Sequence, residues 1–96
     1  FGIDEAMPEW IHYLSEIYPN PAREEAYMNI NLSKTSGLDI SIISIAGQVV
    51  HREHMVLNKG PNQIKLDLHD HNNGVYFVNI EFEERYTIKK KLLLMQ

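Results

Sequence analysis

Residues 62–68 read NQIKLDL, and every second side chain from Ile64 onward is apolar. Successive side chains of a β-strand point to opposite faces of the sheet, so the alternation predicts a strand with one buried face. The inward residues of this stretch would be Ile64, Leu66 and Leu68. The same pattern runs through residues 74–82, GVYFVNIEF, where one face would consist of Tyr76, Val78, Ile80 and Phe82. Both stretches indicate β-structure.

The chain on the N-terminal side of these stretches also alternates. Residues 27–32 and 38–42 have a period of two, and residues 48–56 form a predicted partner strand beyond a turn at Gly47. The apolar parity switches near residues 42–44, which predicts either a β-bulge or a strand covered on both faces. Six or seven short strands with a turn about every 8–12 residues predict an antiparallel, immunoglobulin-like β-sandwich.

The parity of the last predicted hairpin constrains its loop. A two-residue loop at Glu83 and Glu84 would place Phe82 opposite Arg85 and mix an apolar face with a polar one. A three-residue loop places Phe82 opposite Tyr86 and keeps the apolar faces together, so we expect an odd-length loop. The inward face of the final strand would then consist of Tyr86, Ile88, Leu92 and Leu94.

Residues 1–15 follow a different pattern from the rest of the chain. Their apolar residues have helical spacing, and they are Ile3, Met7, Trp10, Ile11 and Leu14. Pro8 suits the first turn of a helix, so we predict a short helix or helical linker over residues 8–15. We therefore expect a division into residues 1–15, a linker or the end of a preceding domain, and residues 16–96, the β-sandwich.

The composition argues against several classes of protein. The 96 residues include 13 acidic and 9 basic side chains, a formal net charge of −4, whereas binders of nucleic acid or anionic membranes need basic patches. The chain has no cysteine, which excludes a disulfide framework, a thiolate zinc site and a cysteine nucleophile. No apolar run approaches the roughly 20 residues of a membrane span. Because the chain begins at Phe1 without a signal peptide, we expect it to be the last part of a longer protein, ending at Gln96.

Few residues suggest catalysis or metal binding. His69 and His71 could ligate zinc together with Asp67, but we favour a polar loop with two solvated histidines. His51 and His54 are three residues apart on a predicted strand, hence on opposite faces, and make poor co-ligands. No serine has Gly-x-Ser-x-Gly surroundings, and no glycines are arranged as a phosphate-binding loop. We therefore expect no catalytic residue, no metal and no cofactor.

Two further features stand near the predicted final strands. The lysines at residues 89–91 would protect a sheet edge from pairing with other molecules. Residues 92–95, LLLM, would place apolar side chains on both faces of the final strand. Either both faces are covered by the rest of the domain, or one face is available to a partner. Upstream, Tyr76 follows Gly74 where immunoglobulin-like sandwiches place a tyrosine whose hydroxyl bonds nearby backbone.

Six segments occur in a fixed order, and they are IYPNPA at 17–22, DISI at 39–42, GQVV at 47–50, NQIKLDL at 62–68, GVYFVNI at 74–80 and KKL at 90–92. The ordered set resembles the C-terminal sorting domain of proteins exported by the type IX secretion system of Bacteroidetes, over about residues 16–96. The residues that this resemblance and the chain end mark as the candidate sorting signal are Pro19, Asn20, Pro21, Gly47, Gly74, Tyr76, Lys89, Lys90, Lys91, Leu92, Leu93 and Leu94.

The resemblance implies a non-catalytic address label. In that family a cargo protein crosses the inner membrane by an N-terminal signal, and the outer-membrane translocon recognises its folded C-terminal sandwich from the periplasm. A surface sortase commonly removes the domain and joins the cargo to an anionic lipopolysaccharide, while other cargos are released. The implied partners are the translocon, an outer-membrane shuttle protein and the sortase, and the implied destination is the cell surface or the medium. Cleavage would fall within residues 1–16.

As the physical basis of recognition, we expect a strand of the partner to pair with residues 89–94. Truncation of the last few residues should then block export while the domain still folds. Three alternatives stay open. An uncleaved docking domain of the secretion machinery would have the same sequence features. A generic immunoglobulin-like module for a protein or glycan would show an exposed aromatic patch on a sheet face. A zinc site at His69 and His71 would indicate an enzyme or an accessory domain.

Overall fold

The computed structural model describes residues 7–83 and 85–96 and shows a sandwich of two antiparallel sheets. The strands are β1 (Ile11–Leu14), β2 (Glu25–Leu32), β3 (Ser36–Ser44), β4 (Val49–Leu57), β5 (Gly60–Asp67), β6 (Gly74–Phe82) and β7 (Thr87–Leu94). One sheet has the strand order β1-β2-β5, and the other has the order β4-β3-β6-β7. The described residues contain no helix, and hence none long and apolar enough to cross a membrane. The predicted all-β sandwich is confirmed.

The core lies between the two sheets, where alternate residues of the strands are buried. The predicted inward residues of residues 62–68 are all at most 4% exposed, and they are Ile64, Leu66 and Leu68. The predicted face of β6 is at most 7% exposed and consists of Tyr76, Val78, Ile80 and Phe82. The period of two therefore identified the buried face of both strands.

The β3–β4 ladder contains a bulge near residues 42–44, one of the two alternatives that the parity switch predicts, and its extra residue lies on β4. Ile42 lies opposite His51, but the next residue, Ile43, lies opposite Val49. Val50 is thus the extra residue on β4, and the register of the ladder shifts by one position there. The register of β3 against β6 continues through Ser44, so β3 itself keeps its period of two, and Ile45 beyond it is 74% exposed.

The β6–β7 hairpin has the predicted odd-length loop. The Phe82 amide donates to the Tyr86 carbonyl at 2.8 Å, and the Arg85 amide donates to the Phe82 carbonyl at 3.0 Å. Arg85 has a φ of 67°, the left-handed conformation that closes many three-residue hairpin loops. Phe82 and Tyr86 consequently share a face, and their ring centroids are 6.2 Å apart.

The predicted helix over residues 8–15 is wrong, because this segment contains β1, which pairs with β2. The register of that pairing shifts between Ile11 and Tyr13, and the bulge allows Ile11 and Leu14 both to face the core. A three-residue apolar spacing is also what a helix produces, so a bulged strand imitated the helical pattern. The contribution of Ile3 to that pattern lies outside the described residues.

Trp10 belongs to the same misassigned apolar set. Its ring meets Phe82 edge-on with the centroids 5.2 Å apart, and the Lys34 ammonium lies 5.3 Å from the centroid of the indole. Trp10 therefore packs against the end of the core instead of forming part of a helical stripe. The assignment of residues 1–15 to a linker or a preceding domain stays a prediction.

Candidate functional site

Residues 19–22, the proline segment, lie along the free edge of β7. Ala22 forms a parallel bridge with Leu94. The Ala22 amide donates to the Leu93 carbonyl at 2.8 Å, and the Ala22 carbonyl accepts from the Met95 amide at 2.8 Å. Ala22 is completely buried, so a larger side chain would have to displace its neighbours. The proline segment therefore serves as a short extra strand at this end of the four-stranded sheet.

Asn20 completes this contact with its side chain. Its Oδ1 accepts from the Leu93 amide at 2.9 Å, and its Nδ2 donates to the Lys91 carbonyl at 3.1 Å. One carboxamide thus satisfies a backbone donor and a backbone acceptor, as a neighbouring strand would. Pro19 and Pro21 carry no N–H and both follow cis peptide bonds. Between two prolines, the Asn20 side chain supplies hydrogen bonds that the backbone does not.

The outer edge of β7, the terminal edge, is consequently closed over one half and open over the other. In an antiparallel ladder, alternate residues direct their backbone groups toward the same side, so Thr87 and Lys89 face outward as Leu93 does. β7 pairs with β6 alone within the sheet. Among the described residues, no backbone group bonds the outward amides or carbonyls of Thr87 and Lys89. These two residues define the open half.

The three lysines of β7 have different surroundings. Lys90 shares the inward parity of Ile88 and Leu92, and its ammonium bonds Glu16 Oε2 at 2.9 Å with the Lys90 side chain only 21% exposed. An inward-pointing charge on an edge strand discourages unwanted pairing. Lys89 and Lys91 lie on the opposite, outer face of the sheet and are exposed. Only these two lysines are placed to meet a partner on that face.

The leucines at the end of β7 divide between the two faces. Leu92 and Leu94 are completely buried in the core, whereas Leu93 is partly exposed on the outer face opposite Val75. Met95 is 55% exposed. Among the described residues, the face of β7 with Leu92 and Leu94 is therefore covered, and Leu93 on the other face is available at the surface.

Gly74 and Tyr76 lie beside the buried leucines. Gly74 pairs with Leu94, and Tyr76 pairs with Leu92. The Tyr76 hydroxyl donates to the Asn72 carbonyl at 2.6 Å, which confirms the predicted tyrosine corner. Gly74 has a φ of 151°, a conformation that favours glycine. These residues support the strand that presents the terminal edge.

Gly47 is the one candidate residue outside β6, β7 and the proline segment. It lies in the β3–β4 turn with a φ of 89°, as its predicted turn role requires. The turn follows Ser44, which pairs with Tyr76 on β6, so Gly47 lies at the same end of the four-stranded sheet as Gly74. The structure thus groups the other candidate residues on β6, β7 and the proline segment, with Gly47 in a turn at the same end of this sheet.

Sequence reasoning missed several members of the cluster. Glu16 is the partner of Lys90, and Asn73 Oδ1 accepts from the Gln96 amide at 2.8 Å. The Gln96 side chain also donates to the carbonyls of Leu68 and His71 at 3.3 and 3.2 Å. No local pattern predicts such long-range pairs, although the two asparagines before Gly74 indicate a loop whose side chains can accept hydrogen bonds.

The histidines do not gather into a site. The described residues contain no group of three or more His, Cys, Asp or Glu side chains that could hold a metal. His54 Nδ1 lies 2.7 Å from Asp39, and His51 Nε2 lies 3.2 Å from Glu53, all exposed or half-exposed. His69 Nδ1 is 3.4 Å from Asp70 Oδ1 in the solvent-exposed loop. Each histidine named here thus has a single acidic neighbour.

One cluster on the other sheet has perturbed pKa values. A hydrogen bond from the Tyr27 hydroxyl at 2.5 Å, with the Lys65 ammonium at 3.0 Å, holds the pKa of the Glu25 carboxyl below its ordinary 4.5. The same carboxylate raises the pKa of Tyr27 and the pKa of Lys65. The Glu25 and Lys65 side chains are exposed and Tyr27 is partly exposed, so water screens these contacts.

Comparison with known proteins agrees with this architecture. The family model of the secretion system C-terminal sorting domain matches residues 16–95. The chain therefore belongs to the C-terminal sorting domains of type IX secretion, which direct export to the cell surface or the medium through that system.

No curated protein matches the chain. Among solved structures, it is similar to dimeric latent PorU from Porphyromonas gingivalis, with 22% sequence identity and a TM-score of 0.71. The similarity covers 82% of this chain but only 9% of that one, and it shows a shared fold.

Proposed function

We propose that the open half of the terminal edge is where the type IX machinery recognises this domain, through strand addition by the outer-membrane shuttle protein. The unpaired, outward backbone groups of Thr87 and Lys89 support this assignment. A partner strand that bonds such groups gains affinity from the main chain and specificity from neighbouring side chains. The side chains of Lys89 and Lys91 lie on the outer face beside these backbone groups and would favour acidic groups on the partner.

The expectation that strand addition extends over residues 89–94 needs correction. The backbone groups of Leu93 already bond Asn20 and Ala22, and the Lys91 carbonyl bonds Asn20. An added strand would have to displace the proline segment there. We therefore confine the docking position to the part of β7 before Lys91.

The proposed truncation also needs a different design. Leu92 and Leu94 are completely buried, so removing the last few residues would remove part of the core. Loss of export by such a variant would report misfolding as readily as lost recognition. A substitution at the edge that leaves the core intact is the better test.

The attached cargo, in this proposal, enters the periplasm by its own signal, is carried through the translocon and is displayed or released. A surface sortase removes the domain by cutting within residues 1–16. The pairing of β1 with β2 favours a cut before Ile11, because a protease needs an extended, unpaired substrate. The domain itself acts without catalysis, since recognition requires only its shape and edge. An uncleaved docking domain would use the same edge, and the mass of the surface-displayed protein distinguishes the two.

A reporter assay tests the docking position. Residues 1–96, which include β1, are fused to a secreted reporter in a Bacteroidetes host, and surface appearance is compared for the wild type, Lys89→Pro and Lys89→Ala. Proline removes the outward N–H and is tolerated on an edge strand, whereas alanine removes only the charge. We expect Lys89→Pro to abolish export and Lys89→Ala to reduce it partially. Normal export of a folded Lys89→Pro fusion would refute the docking position.

A further inference from the structure

The outer face of the three-stranded sheet has a distinct chemistry. Its centre presents aromatic rings and carboxamides, and this tyrosine–amide face consists of Tyr13, Tyr18, Tyr27, Asn29, Asn31 and Gln63. Tyr13 is 55% exposed and Tyr18 is 38% exposed. An exposed aromatic patch on a sheet face is the feature that favours a binding module, and the sorting role leaves it unexplained.

Hydrogen bonds hold one half of the face in place. The Tyr18 hydroxyl donates to Asn29 Oδ1 at 3.0 Å and accepts from Gln63 Nε2 at 3.1 Å. The rings of Tyr18 and Tyr27 lie 5.9 Å apart and are tilted by 35°. These side chains are therefore positioned before any ligand arrives, which lowers the entropic cost of binding.

The other half of the face forms a groove. Asn31 lies directly opposite Tyr13 on β1 and opposite Pro61 on β5. These residues line an open cavity of about 410 Å³ together with Asn29, Asn62 and Gln63. No described residue bonds the Asn31 carboxamide, so both its donor and its acceptor are available to a ligand. The volume is in the range of small-ligand sites, which span roughly 300–1,000 Å³.

The lack of charged side chains on the tyrosine–amide face indicates which class of ligand it would bind. The six side chains of the face are uncharged at neutral pH, and the charges at its border, Glu25 and Lys65, pair with each other at 3.0 Å. Ring faces offer flat apolar platforms for the C–H faces of pyranoses, and carboxamides offer paired donors and acceptors for hydroxyl groups. Tyrosine is also enriched at protein interfaces, so a second copy of the chain is one of the outcomes that the test distinguishes.

We propose that the tyrosine–amide face binds a neutral polysaccharide chain, with Tyr13 and Tyr18 as stacking platforms and Asn31 as a hydrogen-bonding group. The chain would run across β1, β2 and β5, on the sheet that does not contain the terminal edge. The domain would thus hold a glycan on one face while the edge of β7 is engaged elsewhere.

Amide NMR of residues 1–96 tests the proposal, with cellohexaose, mannohexaose, laminarihexaose and chitohexaose as probes. We expect saturable shifts of the Asn29, Asn31 and Gln63 signals with at least one of them. Tyr13→Ala should weaken that affinity about tenfold, equivalent to about 1.4 kcal/mol. The control Ile45→Ala changes a side chain that is 74% exposed in the β3–β4 turn and should leave the affinity unchanged.

Three results would overturn the proposal. One is the absence of shifts at millimolar concentrations of all four hexasaccharides. Another is binding that Tyr13→Ala leaves unaltered in a folded domain. The third is a set of shifts that follows protein concentration alone, which would assign the face to a second copy of the chain.

Discussion

The two halves of the terminal edge show how one strand combines folding with recognition. Over the closed half, Leu93 bonds Asn20 and Ala22, residues more than 70 positions earlier in the chain. Over the open half, Thr87 and Lys89 face outward without a neighbouring strand among the described residues. An exposed edge is an aggregation hazard, so a chain that leaves half an edge open has a use for it or protects it.

The difference teaches that the proline segment limits where a partner can add a strand. Its Asn20 and Ala22 occupy the backbone groups nearest the chain end and direct an incoming strand toward Thr87 and Lys89. The inward Lys90, bonded to Glu16, discourages casual pairing at the same position. Variants on the two halves should therefore separate stability from export.

The largest effect is expected in the core beneath the closed half. Leu94→Ala should lower the free energy of unfolding by about 3 kcal/mol, because Leu94 is completely buried and its truncation leaves a cavity. Leu93→Ala, at the neighbouring and partly exposed position, should cost less than about 1 kcal/mol. Urea unfolding followed by the fluorescence of Trp10 measures both, since Trp10 is the single tryptophan. Equal losses would contradict the assignment of the two leucines to opposite faces.

A smaller effect is expected where the proline segment closes the edge. Asn20→Ala removes two hydrogen bonds to β7 and should destabilise the fold by about 1–2 kcal/mol. The variant also lengthens the open half, so its tendency to self-associate should rise, as measured by light scattering. The control Asn58→Ala lies in an exposed turn and should change stability by less than about 0.5 kcal/mol. An Asn20→Ala variant as stable as this control would show that the closed half contributes little.

The smallest effect lies away from β7 and serves as a baseline. The lowered pKa of Glu25 means that its contribution to stability is complete above its ordinary 4.5 and disappears as the pH falls through the lowered value. The difference in unfolding free energy between the wild type and Glu25→Gln should therefore be greatest near neutral pH and vanish in acid. Export should be unchanged, because Glu25 lies on the other sheet. A difference that grows in acid would reverse the assigned direction of the pKa shift.

The sequence predicts the strands better than it predicts their contacts. Alternation in residues 62–68 and 74–82 identifies buried faces because a strand's period of two is a local property. The bulge that places Ile11 and Leu14 on one face breaks that period, and the resulting spacing of three residues predicts a helix instead of the observed strand. The bonds from Asn20 to Lys91 and Leu93 join residues 71 and 73 positions apart, and no local pattern encodes them.

The sequence marks some residues of the candidate site but does not indicate how they are organised. The resemblance marks Asn20 and the lysines of β7 together, yet only the folded chain reveals that Asn20 occupies part of the edge. It also separates Lys90, which turns inward to Glu16, from Lys89 and Lys91. The period of two already places Lys90 on the face opposite Lys89 and Lys91, but no local pattern indicates that Glu16 is its partner.

Hydrogen exchange of individual backbone amides tests the central claim most directly, in the free domain and in its complex with the outer-membrane shuttle protein. In the free domain, the Leu93 and Met95 amides should exchange slowly because they are bonded, while those of Thr87 and Lys89 should exchange fast. In the complex, we predict that the Thr87 and Lys89 amides become slow and that Leu93 and Met95 stay slow. Fast exchange at Thr87 and Lys89 in a saturated complex would contradict strand addition at the open half.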